Sequence, residues 1–586
     1  MNNELEHLRH STAHLLAAAV TSLWPNAKPT IGPVIEHGFY YDFDMGDEKI
    51  TNGDLPKIEE KMREIISSWK SIDGEEISVE KAKDIFKDNE YKIELIEEFE
   101  SEKLPITIYK SGHFIDLCRG GHVDNPQEIK HFKLMSVAGA YWRGNEKNKM
   151  LTRIYGVSFS SNDDLENHLQ SLEEASEFDH RKIGKDLNLF VFSDIIGKGL
   201  PMLTPQGATI RRVLERFIVD EEIRRGYQHV YTPPLAKTEL YKKSGHYPYY
   251  KNTMYPVMKV DEEELILRPM TCPHHFMLYK SDLHSYKELP LRIAEIAPQF
   301  RYEKSGELTG LIRVRMFHLA DAHIFASQEQ AKDEIKNVLE LIDFVNSKMG
   351  LKKGEDYRYR LSLGDRSDKN EKYYKDDEAW EYAENVLREV LSESDVPSFE
   401  AKGEAAFYGP KIDVQVKKIT GKEETAFTVQ YDFVMPKRFD LKYTSEDGSE
   451  KEVVVIHRAS IGCLERTIAF LLEKYHGALP LWMSPTQVAI LPISEKHTKY
   501  AILVKEKLDE VGIRSFLDDR SETLQAKIRS AQMKKIPYML VLGDREMEAQ
   551  KVAPRHRIKG NLDTMSIEEF VRSEEHTSEL QSRFGI

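Results

Sequence analysis

The sequence predicts an α+β protein built from several domains, and three observations lead to that prediction. The chain has 586 residues, which is too long for one hydrophobic core and suggests about three to four domains. Its middle places β-like runs beside long helical stretches, as expected for a large mixed or antiparallel sheet with helices against it. Near its end, short apolar runs alternate with helical ones, which indicates a small α/β domain.

Composition places the chain among ordinary globular proteins, with 40% hydrophobic and 31% charged residues. No apolar run reaches the roughly 18 residues that a membrane span needs, and MNNELEHLRH lacks the apolar core of a signal peptide. Three cysteines, Cys118, Cys272 and Cys463, are too few for a disulfide framework. We therefore expect a cytoplasmic protein. The net charge of −15 argues against indiscriminate coating of nucleic acid.

The first part of the chain mixes one amphipathic helix with short β-like runs such as GFYYDF and GAYWRG, and we place an α+β domain at 1–160. The charged stretch SNDDLENHLQSLEEASEFDHRKIGKDL then predicts a connecting helix at 161–186. The largest block, 187–480, holds the mixed or antiparallel sheet, with strands expected at ELILRPM, RIAEIAPQFRYE, RVRMFHLADAHIF, AFTVQYDFVM and EVVVIHRASIG.

The stretch HGALPLWMSP predicts a linker, and TQVAILPI, GIRSFLDD and YMLVLGD predict the strands of an α/β domain at 481–571. Between Lys527 and Lys559, nine Lys and Arg residues stand against three Asp and Glu residues. In a chain this acidic, such a basic stretch has two interpretations: a surface that binds nucleic acid, or an ordinary solvent-exposed face. Residues 572–586 begin RSEEHTSELQS, which matches the translation of a common sequencing adapter, so we exclude them from the fold.

Two histidines, His10 and His14, lie one helical turn apart in RHSTAHLLAAAV. A second cluster, in HFIDLCRGGHV, supplies a carboxylate, a thiol and a third imidazole: Asp116, Cys118 and His122. Three imidazoles and a thiolate form a complete tetrahedral set for zinc. The residues alone leave a zinc site, a metal-free hydrolytic site and unrelated structural residues as alternatives. Gly120 and Gly121 favour a site because they let the backbone approach a bound group, and Lys92 is a further polar candidate.

The stretch FRYEKSGELTGLIRVRMF predicts a nucleotide site. Arg301 and Glu303 would share one face of a strand, and Arg313 and Phe317 would follow on the returning strand. Arginine suits phosphate, glutamate can accept from an exocyclic amine, phenylalanine can stack on a base, and Arg466 could cover the other face of that base. A solvated hairpin is the alternative. The chain contains no P-loop or GxGxxG motif, which argues against ATP binding of the Walker or Rossmann kind.

These motifs resemble those of class II aminoacyl-tRNA synthetases. The Arg-x-Glu, loop, Arg-x3-Phe arrangement is similar to motif 2, and the Gly-x2-Glu-Arg helix to motif 3. GYQHVYTPPL, expected to be a strand that ends at Pro233 after a long helix, is similar to motif 1, the dimer interface of that class. MTCPHH, DAHIF, AFYGPKI, VVIHRA, HSTAH and LCRGGHV narrow the resemblance to threonyl-tRNA synthetases, from about residue 5 to 571. From this resemblance we expect the chain to begin at the family's editing domain, without its TGS domain.

The resemblance implies a role for each domain. The first would be an editing domain of the threonyl and alanyl kind, the central one a class II catalytic core with an antiparallel sheet and flanking helices, and the last an α/β anticodon-binding domain. The implied enzyme is a ligase that joins threonine to tRNA(Thr): ATP and threonine give threonyl-adenylate and diphosphate, and the acyl group passes to the tRNA. A homodimer formed through motif 1 is also implied.

The resemblance further implies a catalytic-domain zinc with three protein ligands: Cys272, His323 and His457. Three ligands leave room for the amino and hydroxyl groups of threonine, which valine cannot match because it has no hydroxyl. Three more residues would hold the threonine: Asp321, Tyr408 and Gln430. Arg301 would neutralise the α-phosphate, Glu303 would read the adenine amine, and Phe317 and Arg466 would enclose the ring. Arg313 would meet the distal phosphates that Mg²⁺ bridges, and Lys411 would add a contact.

Serine also has a hydroxyl, and one methyl group is worth only about 1–3 kcal/mol of discrimination. A second site that hydrolyses Ser-tRNA(Thr) is therefore expected, and the resemblance assigns it to the N-terminal cluster in a metal-free form: His10, His14, Lys92, Asp116, Cys118 and His122. In the last domain, the resemblance assigns anticodon reading to three charged residues: Arg529, Glu546 and Arg555.

The chain departs from the family pattern at five positions: Leu319 and Thr425 for glutamine, Ser521 for asparagine, His274 for glycine and Cys463 for serine. None belongs to the proposed zinc ligands, the adenine site or the editing cluster, so we expect activity with altered substrate affinity. The alternatives are a prolyl or seryl enzyme, a non-catalytic RNA-binding regulator, and a tRNA deacylase with a vestigial core. The zinc ligands argue against the first, and the adenine-site residues argue against the other two.

Overall fold

The computed structural model describes residues 3–36, 38–367 and 372–572. The chain forms two compact units, residues 1–173 and 174–586. Residues 573–586, most of the adapter-like segment, lie outside the described part of the chain. Within the described residues, no helix has the length and apolarity needed to cross a membrane.

The first unit contains two antiparallel sheets and the helices that pack on them. Its elements are α1 Asn3–Leu23, β1 Lys28–Pro29, β2 Val34–Ile35, β3 Gly38–Asp44, α2 Leu55–Ser68, β4 Asp73–Glu76, α3 Val79–Ile85, α4 Glu90–Ser101, β5 Thr107–Ser111, β6 Phe114–Leu117, β7 His131–Tyr141 and β8 Met150–Phe159. One sheet has the order β1-β3-β8-β7 with β2 beside β3, and the other has the order β4-β5-β6.

The long helix α1 is held against the larger sheet by its apolar residues. Leu15, Leu16 and Val20 are fully buried with Phe39 and Ile154 of that sheet, and each such side chain contributes about 1.5–3 kcal/mol by leaving water. This packing fixes the rotation of α1. The helix face that carries the two histidines is thereby set in place.

The second unit is centred on an eight-stranded sheet. Its elements up to the linker are α5 Asn162–Glu177 (which begins in the first unit), α6 His180–Asp186, β9 Phe190–Val191, β10 Met202–Leu203, α7 Pro205–Arg224, β11 Gln228–His229, β12 Leu235–Lys237, α8 Thr238–Ser244, α9 His246–Tyr249, β13 Met258–Val260, β14 Glu263–Leu267, α10 Cys272–Tyr279, β15 Leu291–Phe300, β16 Met316–Ala326, α11 Ala331–Lys348, β17 Tyr357–Leu363, α12 Asp377–Ser392, β18 Ser398–Lys402, β19 Lys411–Lys417, β20 Glu423–Asp432, α13 Met435–Phe439, β21 Lys442–Thr444, β22 Glu450–Glu452, β23 Val454–Cys463 and α14 Leu464–Lys474.

The eight strands lie in the order β11-β15-β16-β23-β20-β19-β17-β18. The sheet is antiparallel from β15 to β17, and its two edge pairs, β11 with β15 and β17 with β18, are parallel. Apolar residues of α7, α11, α12 and α14 form one core with one face of this sheet. The antiparallel core with flanking helices agrees with the prediction, and the opposite face is left for polar side chains.

The remaining elements form the predicted small α/β domain: β24 Val488–Pro492, α15 Thr498–Glu510, β25 Ser515–Leu517, α16 Leu524–Met533, β26 Tyr538–Leu542, α17 Asp544–Ala549, β27 Ala553–His556, β28 Gly560–Asn561 and α18 Ile567–Arg572. The sheet order is β25-β24-β26-β27-β28, with the first three strands parallel. Residues of α15 and α18 pack with one set of strand side chains, and residues of α16 pack with another.

The structure corrects the predicted connecting helix at 161–186, which is two helices. α5 ends at Glu177 and α6 begins at His180. Asp179 interrupts the helix because its carboxylate accepts from the backbone N–H of Arg181 at 2.7 Å and so caps the second helix.

The strand expected to end at Pro233 is also shorter than predicted, since β11 ends at His229. Its ladder continues only to Val230, whose N–H donates to the carbonyl of Ala294. Thr232 donates its N–H and hydroxyl to the carboxylate of Glu295 instead of to a neighbouring strand. The prolines that follow carry no N–H with which a ladder could continue.

The hairpin predicted for the nucleotide site has shorter strands than expected. β15 ends at Phe300 and β16 begins at Met316, so Arg301, Glu303 and Arg313 lie in the connection. A tight turn causes this, because the N–H of Glu303 donates to the carbonyl of Arg301 at 2.9 Å.

Candidate active site and a second histidine cluster

A cavity of about 560 Å³ lies on the polar face of the eight-stranded sheet. Strand register brings its main side chains together, because His323 of β16 pairs with His457 of β23, and His457 pairs with Gln430 of β20. Asp321 lies two residues before His323, and alternate residues share a face of the sheet. Four residues from three strands therefore line one wall of this cavity.

Cys272 and the two paired histidines form a three-residue cluster that we call the central triad: Cys272, His323 and His457. Cys272 is the first residue of α10. The three potential ligand atoms lie within 4.8 Å of one another, and the residues are 5%, 1% and 6% exposed. The two histidine rings meet edge to face with centroids 4.6 Å apart. One thiol and two imidazoles beside an open cavity fit a zinc ion with a free coordination position.

A buried carboxylate sets the protonation of His457. Asp432 is fully buried, and its Oδ2 lies 2.8 Å from Nε2 of His457. Its Oδ1 accepts from the backbone N–H groups of Val434 and Met435. Nε2 of His457 therefore carries the proton that it donates to Asp432, which leaves the Nδ1 lone pair for a metal.

Burial favours the neutral forms of Cys272 and His323. It raises the pKa of the Cys272 thiol well above its ordinary range and lowers the pKa of His323 well below its ordinary range. Neutral imidazole is the form of histidine that binds metal, and a divalent cation would supply the charge that stabilises a buried thiolate. The residues present therefore fit zinc.

The residues predicted to hold threonine surround the central triad. The hydroxyl of Tyr408 donates to Oε1 of Gln430 at 2.5 Å, and its ring stacks on His457 at 4.9 Å. Asp321 is held by Gln299, whose Nε2 lies 3.4 Å from Oδ2 of Asp321. Burial raises the pKa of Asp321. Sequence reasoning missed Gln299, whose only signal is its position in β15 on the same face of the sheet.

Two of the predicted phosphate and base contacts, Arg301 and Glu303, line the same cavity. The guanidinium carbon of Arg301 lies 5.2 Å from the ring centroid of Phe317, so these two residues already pack together. Nε of Arg313 lies 4.0 Å from a carboxylate oxygen of Glu303. The structure thus brings four of the motif residues together, although they do not form the regular strand pair that was expected.

Arg466 and Lys411 stand slightly apart from that group. Arg466 is exposed, and its guanidinium donates to the carbonyls of Ile312 and Thr425 at 3.4 Å in each case. It lines a smaller neighbouring pocket. Lys411 lines the main cavity, and its Nζ lies 2.9 Å from Oδ2 of the buried Asp413.

Two further cavity residues were not predicted to have a role there. His246 is 3% exposed, and one of its ring nitrogens lies 2.7 Å from the hydroxyl of Ser244. Burial lowers the pKa of His246 to about 3, so its ring is neutral at pH 7. Leu319, one of the departures from the family pattern, also lines the cavity, and it pairs across the sheet with Cys463, another departure.

The first unit brings the other predicted set together, and we call its four potential ligands the N-terminal cluster: His10, His14, Cys118 and His122. Their potential ligand atoms also lie within 4.8 Å of one another. α1 presents His10 and His14, and the end of β6 leads directly to Cys118. The Cys118 sulfur lies 3.3 Å from Nε2 of His10 and 3.3 Å from Nε2 of His122.

A buried ion pair lies beside the N-terminal cluster. Nζ of Lys92 contacts Oδ1 of Asp116, and both side chains are almost fully buried. The hydroxyl of Tyr41 donates to Oδ2 of Asp116 at 2.5 Å, and Nε2 of His14 lies 3.7 Å from the same oxygen. Lys92 and Asp116 are thus adjacent to the cluster as expected, and Tyr41 is a member that sequence reasoning missed.

Burial keeps the N-terminal cluster uncharged. It lowers the pKa of His122 to about 2 and that of His14 well below its ordinary range, and it raises the pKa of Cys118 to about 11. Nδ1 of His14 has no hydrogen-bond partner among the described residues. At neutral pH the cluster therefore offers a thiol and neutral imidazoles, which can bind a polar group through hydrogen bonds.

The three predicted anticodon residues lie on α16, α17 and β27. Arg555 pairs with Met539 of β26, and Met539 packs with Ala531 of α16. Arg529 is an exposed residue of that same helix. Glu546 has a structural role as well, because one of its carboxylate oxygens accepts from the N–H of Gly543 at 2.9 Å and caps α17.

Three parts of the chain match the models of known protein families. Residues 255–475 match the tRNA synthetase class II core domain (G, H, P, S and T). Residues 487–573 match the anticodon binding domain, and residues 106–155 match the threonyl and alanyl tRNA synthetase second additional domain. These matches agree with the predicted fold of each part.

Two relatives that match nearly the whole chain are described as threonine–tRNA ligases. A threonine–tRNA ligase of Geobacillus sp. (strain WCH70) is 52% identical over 97% of this chain and 88% of that protein. The ligase of Geobacillus kaustophilus (strain HTA426) is 53% identical over 97% of this chain and 87% of that protein. The RNA binding domain of threonyl-tRNA synthetase from Cryptosporidium parvum Iowa II superimposes with a TM-score of 0.64 at 34% identity, covering 69% of this chain and 98% of that one. The chain belongs to the threonine–tRNA ligase family of class II aminoacyl-tRNA synthetases.

Proposed function

We propose that the chain activates threonine in the cavity over β16, β23 and β20, with a zinc ion held by the central triad. The observation that carries this proposal is the pairing of His323 with His457 across two strands, within 4.8 Å of Cys272 and beside Asp321. When bound, zinc would supply a Lewis-acid site for the amino and hydroxyl groups of threonine. Valine offers no hydroxyl, so the same site would reject it.

The other side chains of the cavity would have separate roles in the two reaction steps. Asp321, Tyr408 and Gln430 would orient threonine so that its carboxylate attacks the α-phosphorus of ATP and diphosphate leaves. Arg301 would neutralise charge that develops on the α-phosphate. In the second step the tRNA 3′-terminal hydroxyl takes the acyl group, and AMP leaves.

The nucleotide contacts follow from the same cavity. Glu303 would accept from the adenine amine, and Phe317 and Arg466 would lie on the two faces of the ring. Arg313 would meet the distal phosphates, which Mg²⁺ would bridge, and Lys411 would add a contact. For this arrangement the guanidinium of Arg313 has to move from Glu303 to the phosphates. The two side chains are 4.0 Å apart, so breaking this ion pair costs little free energy.

The test is ATP–diphosphate exchange by the chain ending at Val571, measured with threonine, serine, valine and proline, with and without a chelator. We expect strong exchange with threonine, weaker exchange with serine, none with valine or proline, and loss of exchange on chelation. A folded, zinc-loaded protein that exchanges with none of the four would refute the synthetase proposal. It would favour the RNA-binding regulator or the deacylase instead.

We propose that the N-terminal cluster hydrolyses Ser-tRNA(Thr) without a metal. One feature supports this: the charge of Asp116, the carboxylate beside the cluster, is already matched by Lys92. His10, His14 and His122 would position the ester and its attacking water. Deacylation of Ser-tRNA(Thr) that survives a chelator and fails in Cys118→Ala would support the proposal. Deacylation that requires added zinc would refute it.

The remaining proposals concern assembly and location. We place the domain limits at 1–160, 161–186, 187–480 and 481–571, and we assign anticodon reading to Arg529, Glu546 and Arg555. We propose a homodimer through the segment at Pro233, where Tyr231 is 97% exposed. Light scattering of Tyr231→Asp tests it, and an unchanged dimer mass would exclude this surface. The three free cysteines fit a reducing compartment, so we propose a cytoplasmic enzyme.

A further inference from the structure

We infer that His275 and Glu295 are positioning residues for the proposed zinc, and that they connect it to the segment before Pro233. The inference rests on the proposed function, because it concerns the orientation of His323 as a zinc ligand. His275 is fully buried in α10, three residues after Cys272. It lies between a ligand of the central triad on one side and a carboxylate on the other.

Two contacts define that position. Nδ1 of His275 lies 2.8 Å from Nδ1 of His323, with the rings edge to face and their centroids 4.8 Å apart. Nε2 of His275 lies 3.3 Å from Oε2 of Glu295. Asp432 contacts His457 directly, whereas Glu295 reaches the other histidine ligand only through His275.

The donor and acceptor roles along this chain of contacts follow from the charge of Glu295. Burial raises the pKa of Glu295, but hydrogen bonds from His275 and Thr232 and the charge of Arg268 hold it down at about 2. Glu295 only accepts, so we assign the proton of His275 to Nε2, the nitrogen that faces Glu295, which leaves Nδ1 as an acceptor. Nδ1 of His323 must then donate to it.

The consequence falls on the other nitrogen of His323. With its proton on Nδ1, a neutral His323 has a lone pair on Nε2, which is the form that binds metal. The opposite arrangement would place a proton on Nε2 and point an N–H at the position of the ion. His275 therefore selects the tautomer of His323 that can act as a ligand.

Glu295 also binds the segment before Pro233. The hydroxyl of Thr232 donates to Oε2 of Glu295 at 2.6 Å, and its N–H lies 3.3 Å from Oε1. The guanidinium of Arg268 contacts both Thr232 and Glu295. Tyr231, the neighbour of Thr232, is 97% exposed. The segment before Pro233 thus has an exposed ring at Tyr231. The next residue, Thr232, is hydrogen-bonded to Glu295, which contacts the zinc ligand His323 through His275.

The test compares two adjacent histidines in the full chain. His275→Ala should lower the affinity for zinc about 10- to 100-fold, the usual effect of losing a residue that orients a metal ligand, and should release zinc to a chromophoric chelator correspondingly faster. Its Co²⁺ derivative should show an altered d–d absorption spectrum. His274→Ala is the matched control, because His274 is 8% exposed in the same helix and its ring lies near Tyr241, with centroids 6.3 Å apart. We expect release close to that of the wild type.

The outcomes separate this inference from the proposal on which it rests. A wild-type chain that binds no zinc refutes the zinc proposal itself. A wild-type chain that binds zinc while His275→Ala releases it within about two-fold of the wild-type rate overturns the inference. Should His275→Ala not fold, as judged by circular dichroism of the metal-free protein, His275→Gln fills the space and is judged by the same rates. Thr232→Val, which removes one hydrogen bond to Glu295, should accelerate release less than either variant, and no acceleration would remove the segment before Pro233 from the inference.

Discussion

The central triad and the N-terminal cluster offer similar ligands in opposite electrostatic settings. Both combine cysteine with histidines whose ligand atoms lie within 4.8 Å of one another. The central triad lies beside two buried carboxylates: Asp321 is 4.0 Å from His323, and Asp432 is 2.8 Å from His457. Asp116, the carboxylate beside the N-terminal cluster, is already neutralised by Lys92.

The difference teaches that a ligand inventory alone does not identify a metal site. A divalent cation in a poorly hydrated pocket needs negative charge nearby, because removing the ion from water is costly. The central triad supplies that charge and the N-terminal cluster does not. The same comparison explains why the four residues of HSTAH and LCRGGH, which form a tetrahedral zinc set on paper, are proposed here to work without metal.

The largest expected effect comes from replacing the cysteine of each site with serine. Cys272→Ser should abolish zinc binding and lower threonine-dependent ATP–diphosphate exchange by at least about 100-fold. Cys118→Ser should leave that exchange unchanged and remove hydrolysis of Ser-tRNA(Thr). Exchange and deacylation assays on both variants check this. Loss of exchange in Cys118→Ser with an intact central triad would show that the two sites are not separable.

Removing Lys92 sharpens the comparison by giving the N-terminal cluster an unmatched negative charge. Lys92→Met should destabilise the first unit by about 3–5 kcal/mol, because it leaves Asp116 buried without its partner. It should also raise the zinc affinity of the cluster. Urea unfolding and zinc titration measure the two effects, and Lys92→Met with Asp116→Asn should restore most of the stability and lose the added zinc affinity. Unchanged zinc affinity in Lys92→Met would mean that charge does not distinguish the two sites.

Asp432→Asn tests how the central triad depends on its carboxylates. The amide oxygen would keep the backbone N–H groups of Val434 and Met435, so the amide NH₂ would face Nε2 of His457. That reverses the tautomer and puts an N–H on Nδ1 of His457. We expect a loss of about 10- to 100-fold in zinc affinity and a KM for threonine that rises more than the KM for ATP. Equal changes in both KM values would point to a general loss of structure.

The smallest expected effect is a pH dependence of the first unit. The pKa of His122 is lowered to about 2, so the unfolded chain binds this proton near pH 6.5 and the folded chain does not. The stability from a neutral His122 is therefore fully present above pH 6.5 and is lost as the pH falls toward 2, by about 2 kcal/mol at pH 5. Urea unfolding of the first unit at pH 7 and pH 5 measures it. His122→Gln should weaken the dependence, because it removes one of the buried histidines of the cluster, whereas His113→Gln, at an exposed position, should leave it unchanged.

The features that local sequence patterns predicted are those formed by residues that are close together in the chain. The spacing of His10 and His14 places both on one helix face, and Cys118 and His122 lie in one short stretch, so four residues of the N-terminal site could be grouped from two motifs. The alternation of apolar runs predicted the C-terminal α/β domain in the same way. His323 and His457 are different, because only the register of β16 and β23 brings them together. Their role was implied by resemblance to a family and not by spacing.

The residues that orient those ligands could not be predicted. Asp432, Glu295, His275, Gln299 and Tyr41 are buried polar residues within strands or helices, and in a sequence they look like any other polar residue in an apolar run. Their partners come from elements that meet only in the fold. The early end of β11 was missed for a similar reason, since it depends on Thr232 turning toward Glu295.

Zinc content per chain tests the central claim most directly. Elemental analysis of the purified full chain, the Cys272→Ser variant and the Cys118→Ser variant should give one zinc, none and one, respectively. That result would place the metal at the central triad and leave the N-terminal cluster free of it. Two zinc ions in the wild type, or one that persists in Cys272→Ser and disappears in Cys118→Ser, would contradict the account.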